Sequence, residues 1–130
     1  MYYFAYASNL NRKQMKERCP NSKPLFTGTL PNYKLVFVGW SRQWHGGKAN
    51  IRIFRGEKVL GGIYEVSEQC LKRLDNFESP YHRVKVTVFN EDGEPVEATA
   101  YLNAGQSEET KPSKEYLSVI QQGYRDWGIV

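Results

Sequence analysis

A single carboxylate, Glu78, stands where a predicted helix has to end. Ser67 is a typical N-cap, and the stripe that follows it predicts a helix to about residue 77, with apolar positions at Cys70, Leu71, Leu74 and Phe77. Ser79-Pro80 ends that helix, because a residue before proline is pushed out of the helical region. A negative charge at a helix C-terminus, next to a Phe77 that we expect to be buried, should have a raised pKa and exchange protons near neutrality. An exposed glutamate at a helix end explains the same residues.

The N-terminal segment is the second candidate for part of a functional site. Residues 2–6 are mostly aromatic and prone to form a strand, residues 7–9 are small or polar, and residues 11–18 are typical of a polar helix. A buried strand that feeds a tight turn at a helix start leaves backbone N–H groups free to bind an anion or a carbonyl oxygen. An ordinary strand followed by an asparagine-capped helix explains the pattern equally simply.

Two further side chains are candidates for a catalytic or ligand-binding role. His45 lies in the aperiodic stretch 40–50, W-S-R-Q-W-H-G-G-K-A-N, which predicts a loop folded over a pocket or over the core. His45 is a candidate base, but no serine, cysteine or acid stands beside it to complete a relay. Tyr116 lies in the first turn of the last predicted helix, next to its apolar stripe, so its hydroxyl faces either the core edge or a ligand.

The two cysteines, Cys19 and Cys70, are far apart and have no histidine at ligand spacing, which argues against a zinc site. A disulfide is possible but not indicated. We expect Cys70 to pack as a small hydrophobic residue on a helix and Cys19, before Pro20, to end the first helix. No metal and no cofactor are predicted.

Composition predicts one globular domain over residues 1–130, with 40% apolar and 25% charged residues. No apolar run approaches the roughly 20 residues that span a bilayer, and strand-like residues replace a leader at the N-terminus, so we expect a cytoplasmic protein. The net charge of +4 raises nucleic-acid binding as a question. The basic residues are interleaved with acids and accompany no nucleic-acid motif, so a mildly basic surface is the better interpretation.

The remaining pattern predicts strands and one more helix. Residues 24–29 and 33–38 read as two strands joined by 30–32, and residues 51–54 and 59–66 as a hairpin with its turn at 55–58. Gly61-Gly62 predicts a bulge or a close backbone approach. A second hairpin covers residues 81–89 and 96–102 around Asp92-Gly93, and a helix runs from Ser113 to Gly128 with the stripe Leu117, Ile120, Tyr124 and Trp127. The predicted fold is α+β: six or seven largely antiparallel strands in a small mixed β-barrel, with two to three flanking helices.

Four stretches together resemble the gamma-glutamylcyclotransferase-like family. Residues 3–10, Y-F-A-Y-A-S-N-L, are similar to the family's Y-G-S-N-L signature. They are followed in the family's order by W-H-G-G at 44–47, L-D-N-F-E at 74–78 and P-S-K-E-Y at 112–116. Ala7 stands where the family usually has glycine. If the family's turn needs a positive φ or a very close approach of the ligand at this position, alanine would not provide it.

The resemblance implies the same fold and a reaction in which a gamma-glutamyl compound becomes 5-oxoproline and a free amine. It implies that Glu78 is the acid/base group and that N–H groups around residues 6–9 stabilise the oxyanion. Expected substrate contacts are Tyr3, Phe4, Ala5, Tyr6, Ala7, Ser8, Asn9, Leu10, Tyr81 and Tyr116. Such a reaction needs no enzyme nucleophile, metal or redox cofactor, and its partner is a small gamma-glutamyl substrate.

The leaving group is left open, because the resemblance covers enzymes that act on gamma-glutamyl amino acids, gamma-glutamyl amines and acylated antibiotic intermediates. Trp40, Trp44 and the loop at 103–111 are expected to border that half of the pocket. A non-catalytic small-molecule binder on the same fold is the alternative, favoured by Ala7 and opposed by the presence of Glu78. The sequence does not indicate an oligomeric state.

Overall fold

The computed structural model describes residues 1–105 and 108–129, in which five strands close into a barrel with the order β1-β3-β2-β4-β5. The strands are β1 (Tyr2–Ala5), β2 (Lys23–Ser41), β3 (Gly46–Glu65), β4 (His82–Phe89) and β5 (Pro95–Leu102). The helices are α1 (Arg12–Arg18), α2 (Glu68–Glu78) and α3 (Lys114–Asp126), with a 3-10 turn at Ser8–Leu10. Neighbouring strands are antiparallel except β1 and β5, which are parallel. The predicted α+β barrel with flanking helices is confirmed.

The number of strands was overestimated because β2 and β3 are single, long strands. They pair with each other from Lys23 opposite Glu65 to Ser41 opposite Gly46, so the join predicted at 30–32 and the turn predicted at 55–58 are wrong. The residues read as turns are irregularities inside this pairing: Asn32 has a φ of 62° and Gly56 a φ of 91°. The Gly56 N–H donates to Asn32 Oδ1 at 3.1 Å, so the two irregularities stabilise each other across the ladder. The predicted loop at 40–50 shrinks to a turn at 42–45.

Strand alternation divides the buried apolar residues into two cores. The inner core fills the barrel and is closed by α3; its members include Phe4, Tyr6, Ile51, Val59, Ile63, Val88, Ala100, Tyr116 and Ile120. The outer core lies between the barrel wall and helices α1 and α2; its members include Tyr3, Leu10, Met15, Tyr64, Leu71, Leu74, Tyr101 and Trp127. Because successive side chains of a strand point to opposite faces, β1 contributes Phe4 to the inner core and Tyr3 to the outer core.

The helix starts are as predicted. The side chains of Asn11, Ser67 and Ser113 accept hydrogen bonds from backbone N–H groups in the first turns of α1, α2 and α3. Cys19 ends α1, and it forms a disulfide with Cys70 of α2, with the two Cα atoms 5.5 Å apart. Cys70 is therefore buried as one half of a cross-link between the helices, and not as the isolated small hydrophobic residue that we expected.

Two glycines allow segments to approach the sheet closely. A Cβ on Gly62 would lie 2.6 Å from the Trp127 ring, which confirms the close approach predicted at Gly61-Gly62. A Cβ on Gly47 would collide with the carbonyl oxygen of Thr110, so this glycine lets the segment before α3 lie against β3.

None of the helices in the described ranges is long and apolar enough to cross a membrane. Those ranges also contain no group of three or more metal-ligating side chains.

Candidate active site at the junction of the two cores

A narrow cavity opens where the inner and outer cores meet. It is bordered by the end of β1 and the turn after it, the C-terminal ends of α1 and α2, the β2–β3 turn, β5 and the start of α3. Its lining is Tyr3, Tyr6, Ala7, Ser8, Asn9, Arg18, Gln43, Trp44, Lys48, Ala49, Phe77, Glu78, Tyr101 and Tyr116. The cavity thus brings together residues 6–9, Glu78 and Tyr116, which are separated from one another by more than 30 residues in sequence.

Glu78 is the last residue of α2, as predicted, and its side chain is only 13% exposed. One carboxylate oxygen accepts a hydrogen bond from Asn9 Nδ2 at 3.1 Å, and the other lies 3.3 Å from the ammonium nitrogen of Lys48. The expectation that a buried Phe77 shields the carboxylate is wrong. Phe77 is 42% exposed and lies beneath the Arg18 guanidinium at the cavity rim, so the shielding comes from the walls of the cavity.

Asn9 fixes the position of this carboxylate. Its side-chain oxygen accepts from Arg18 at 3.0 Å and from Gln14 at 3.1 Å, which sets the orientation of the amide. The amide nitrogen must then face the other way, where it donates to Glu78 and, at 2.9 Å, to the Tyr3 hydroxyl. Asn9 is 3% exposed, so these bonds are shielded from water and its carboxylate contact is held in one geometry.

The tyrosines around Glu78 stay neutral and act as hydrogen-bonding groups. Burial, reinforced by the nearby Glu78 carboxylate, raises the pKa of Tyr3 and of Tyr6 well above the usual range. Burial also raises the pKa of Tyr116. The Tyr116 hydroxyl accepts from the Ala49 N–H at 3.0 Å, so its own proton can still be donated.

The turn after β1 does not require glycine. Ala7 has a φ of −135°, far from the left-handed region, so the doubt about a positive φ at this position is removed. The backbone N–H groups of Leu10 and Asn11 donate to Ala7 and Ser8. Those of Ala7 and Ser8 donate to no acceptor within residues 1–105 and 108–129, and both residues line the cavity.

Other predicted site residues lie elsewhere. Phe4 belongs to the inner core, and Ala5 and Leu10 belong to the outer core; none of the three lines the cavity, so their contact with a ligand stays a prediction. Tyr81 lines an adjoining groove. His45 is exposed in the β2–β3 turn with a φ of 57° and is not part of the lining, which gives no support to a role as base.

Sequence reasoning missed Lys48, Arg18 and Tyr101. Lys48 was not identified as a site residue because residues 40–50 were interpreted as a loop, whereas Lys48 lies in β3 opposite Val38. Arg18 looked like one more surface charge of a polar helix, yet it is 7% exposed. Trp44 does line the cavity, and Trp40 borders the adjoining groove. We expected the loop at 103–111 to border the pocket. Of its described residues, Asn103 alone lines the adjoining groove, and residues 106 and 107 lie outside the described residues.

Known proteins share the fold of this chain and part of its sequence. The sequence profile described as gamma-glutamyl cyclotransferase, AIG2-like, matches residues 3–124. A gamma-glutamylcyclotransferase of Homo sapiens is 30% identical over 98% of this chain and 71% of its own length. A solved gamma-glutamyl cyclotransferase structure has a TM-score of 0.94 at 28% identity, covering 99% of this chain and 80% of that one. The Bacillus subtilis protein YkqA shares the fold, with a TM-score of 0.81 at 22% identity over 98% of this chain and 49% of that one. The chain therefore belongs to the gamma-glutamyl cyclotransferase, AIG2-like family.

Proposed function

We propose that this protein is a gamma-glutamylcyclotransferase that releases 5-oxoproline and a free amine from a small gamma-glutamyl substrate, with Glu78 as the acid/base group. The observation that carries the proposal is the cavity itself. Its lining includes one carboxylate, held by Asn9, together with Ala7 and Ser8, whose backbone N–H groups have no acceptor within the described part of the chain. That pairing of a proton acceptor with an oxyanion site is what intramolecular acyl transfer requires.

The proposed reaction moves two protons from the substrate's α-ammonium to the released amine. Glu78 takes one proton, and the freed α-amine attacks the γ-carbonyl carbon to form the ring C–N bond. The bond from that carbon to the leaving nitrogen then breaks while Glu78 returns the proton to it. The second proton follows the same route. The α-nitrogen thus ends with the single hydrogen of the lactam N–H, and the leaving nitrogen ends as an ammonium group. The ammonium nitrogen of Lys48 lies 3.3 Å from the carboxylate that carries these protons.

The oxyanion formed at the γ-carbonyl would be stabilised by the N–H groups of Ala7 and Ser8. A single donor of this kind typically contributes about 3 kcal/mol to the transition state. The neutral Tyr116 hydroxyl supplies a further donor at the cavity wall. Confinement in a narrow cavity would hold the flexible gamma-glutamyl arm with amine and carbonyl in contact, and this gain in effective molarity provides much of the acceleration.

One of the two arguments for a non-catalytic binding role is removed, since Ala7 has a negative φ. The other, close approach of a ligand to residue 7, is tested by the turnover experiment below. The proposal also includes a cytoplasmic location and no nucleic-acid partner. The second point is supported by the scattered basic residues, which form no motif typical of nucleic-acid binding.

The test is release of 5-oxoproline from gamma-glutamyl dipeptides by wild type, Glu78→Gln and a matched control, Glu97→Gln, whose side chain is exposed on β5. We expect turnover by wild type and the control, and a loss of about 10²–10⁴-fold in Glu78→Gln. Because the amide is isosteric, thermal melting should be nearly unchanged. Turnover that survives in Glu78→Gln would reject the role of Glu78, and ligand binding without turnover by wild type would favour the binding protein.

A further inference from the structure

The Cys19–Cys70 disulfide joins the end of α1 to α2 directly beside the candidate active site. Cys19 follows Arg18 in sequence, and the Arg18 guanidinium lines the cavity and donates to Asn9 at 3.0 Å. Asn9 in turn donates to the Glu78 carboxylate at 3.1 Å. The cross-link is therefore attached to the residue next to the one that orients Asn9.

Two noncovalent contacts of Arg18 run beside the disulfide between the same two helices. Arg73 Nε donates to the Arg18 carbonyl oxygen at 2.8 Å, and the Arg18 guanidinium lies 4.5 Å from the Phe77 ring centroid. α1 has only seven residues, and a helix shorter than about 12–15 residues depends on tertiary packing for its stability. Loss of the cross-link should therefore loosen the end of α1 and the hold of Arg18 on Asn9.

A surface groove gives a small thiol access to the disulfide. The groove has a volume of about 400 Å³ and is lined by both cysteines, by Pro20 and Asn21 after α1, and by Arg73 of α2. Cys19 is 2% exposed and Cys70 is 4% exposed, so the cysteines lie at its base and not on its rim. Arg73 is the charged residue among the described residues of this lining. A positive charge there favours the approach of a thiolate, which is the form that attacks a disulfide.

We propose that the Cys19–Cys70 disulfide is a thiol-exchange site, reached by small anionic thiols through this groove, and that its redox state sets the activity of the candidate active site through Arg18. In the exchange, a thiolate attacks one sulfur, breaks the S–S bond and forms a mixed disulfide with that cysteine. A second thiolate then attacks the mixed disulfide. Two reductant thiols thus become one disulfide, and the two protons that they lose end on the two cysteine thiols.

The redox state changes what holds Arg18 in place. In the oxidised form the disulfide fixes the chain directly after Arg18, and its guanidinium keeps the Asn9 amide nitrogen facing Glu78. In the reduced form that covalent restraint is gone. The cytoplasmic location included in the proposed function favours exchange of this kind, because disulfides in that compartment are usually transient. The effect on activity rests on the proposed function, whereas the exchange itself is measured by counting thiols.

The first experiment compares oxidised and reduced protein after removal of the reagents. Treatment with diamide should leave no cysteine that reacts with iodoacetamide in denaturant, and treatment with dithiothreitol should leave two. Reduction should lower the melting temperature by about 10 °C, since the cysteines are 51 residues apart in sequence. It should also lower kcat for 5-oxoproline release from a gamma-glutamyl dipeptide by roughly threefold to tenfold, because Asn9 is held less firmly. Diamide should restore both values.

The control is the double variant Cys19→Ser, Cys70→Ser, which should have a kcat close to that of the reduced wild type and respond to neither reagent. Two free thiols with an unchanged kcat would overturn the effect on activity, as would an equal response of the double variant. Two reactive thiols after diamide would overturn the exchange site. Absence of 5-oxoproline release in both forms would reject the proposed function and the effect on activity, while the thiol count would still decide the exchange.

A second experiment tests the groove as the route of the thiol. Reduction of the oxidised protein is timed with an anionic thiol, mercaptoethanesulfonate, and with a cationic one, cysteamine. Arg73→Gln should lower the ratio of the two rates by roughly threefold to tenfold, because the charge that attracts the anion is removed. The matched control is Lys72→Gln: Lys72 is also exposed on α2 but does not line the groove, so the ratio should not change. A ratio unchanged in Arg73→Gln would overturn this route.

Discussion

The inner and outer cores are built from the same strands but differ in what their aromatic residues do. The inner core holds mostly aliphatic side chains such as Ile51, Val59, Ile63 and Val88. In the outer core, three tyrosine hydroxyls form bonds: Tyr3 accepts from Asn9, Tyr64 donates to the Asn9 carbonyl at 2.7 Å, and Tyr101 donates to Asp75 at 2.6 Å. The two inner-core tyrosines also form hydrogen bonds, Tyr6 to the Tyr101 carbonyl at 2.6 Å and Tyr116 from the Ala49 N–H at 3.0 Å. The difference is that Tyr3 and Tyr64 of the outer core bond to Asn9, the residue that contacts Glu78.

The candidate site lies where these two kinds of packing meet. Tyr6, Trp44 and Tyr116 of the inner core and Tyr3 and Tyr101 of the outer core line one cavity. Hydroxyl groups line both sides, but it is Tyr3 of the outer core that bonds to Asn9, which in turn holds Glu78. We expect changes to inner-core residues that do not line the cavity to act on stability, and changes to the network around Asn9 to act on stability and chemistry together.

The largest expected effect is a loss of stability at alkaline pH, to which both cores contribute. Burial raises the pKa of Tyr3, Tyr64 and Tyr101 in the outer core and of Tyr6 and Tyr116 in the inner core. Their stabilisation is complete below the unfolded pKa of about 10 and is lost as pH rises toward the folded values, because the unfolded state releases its protons first. At pH 11 each contributes a loss of about 1.4 kcal/mol, which the free energy of unfolding in urea at pH 8 and pH 11 will measure.

A tyrosine variant measures the share of one outer-core residue. Tyr101→Phe removes one titrating group, so its free energy of unfolding should fall less steeply between pH 9.5 and 11 than that of wild type. An unchanged slope in this variant would show that Tyr101 does not contribute to the alkaline transition.

The next effect tests the inner core. Ile63 is fully buried in the barrel, and Ile63→Ala should cost about 2–5 kcal/mol because it removes apolar contacts and leaves a cavity. Leu60, on the same strand but 40% exposed, is the control, and Leu60→Ala should cost less than about 1 kcal/mol. Urea unfolding gives both values. Ile63→Ala should keep its 5-oxoproline release per folded molecule, and a selective loss of that release would contradict the division between the cores.

The parts of the fold that sequence predicts are those determined by local contacts. Asn11, Ser67 and Ser113 cap helices through bonds that span three residues, and the alternating valines of β4 mark its two faces within one strand. Glu78 was found for the same reason, since Ser79-Pro80 fixes the end of its helix. A local pattern of this kind is visible in one stretch of sequence.

The parts that sequence missed depend on contacts across the chain. Asn32 and Gly56 look like turn residues and have positive φ, but they lie at one register shift inside the β2–β3 ladder, joined by the Gly56 N–H to Asn32 Oδ1 bond. Lys48 reaches Glu78 only because that ladder sets its register against Val38. Phe77 fits the apolar stripe of α2, yet the stacked Arg18 guanidinium covers it in place of core packing. None of these pairs is adjacent in sequence, so periodicity alone does not predict them.

A change at Asn9 separates structure from chemistry within the outer-core network. Asn9→Ala removes the contacts to Glu78, Arg18 and Tyr3, and each buried group left unpaired should cost about 1–3 kcal/mol. The Glu78 carboxylate then keeps Lys48 as its partner but loses its fixed orientation, so kcat should fall roughly tenfold to hundredfold. Asn50 is the control: it is also a buried amide, bonded to the Asn103 backbone at 2.9 and 3.1 Å, but it does not line the cavity. Asn50→Ala should lose similar stability and keep its kcat. Equal losses of kcat in the two variants would mean that buried amides act here through stability alone and that Asn9 does not position the carboxylate.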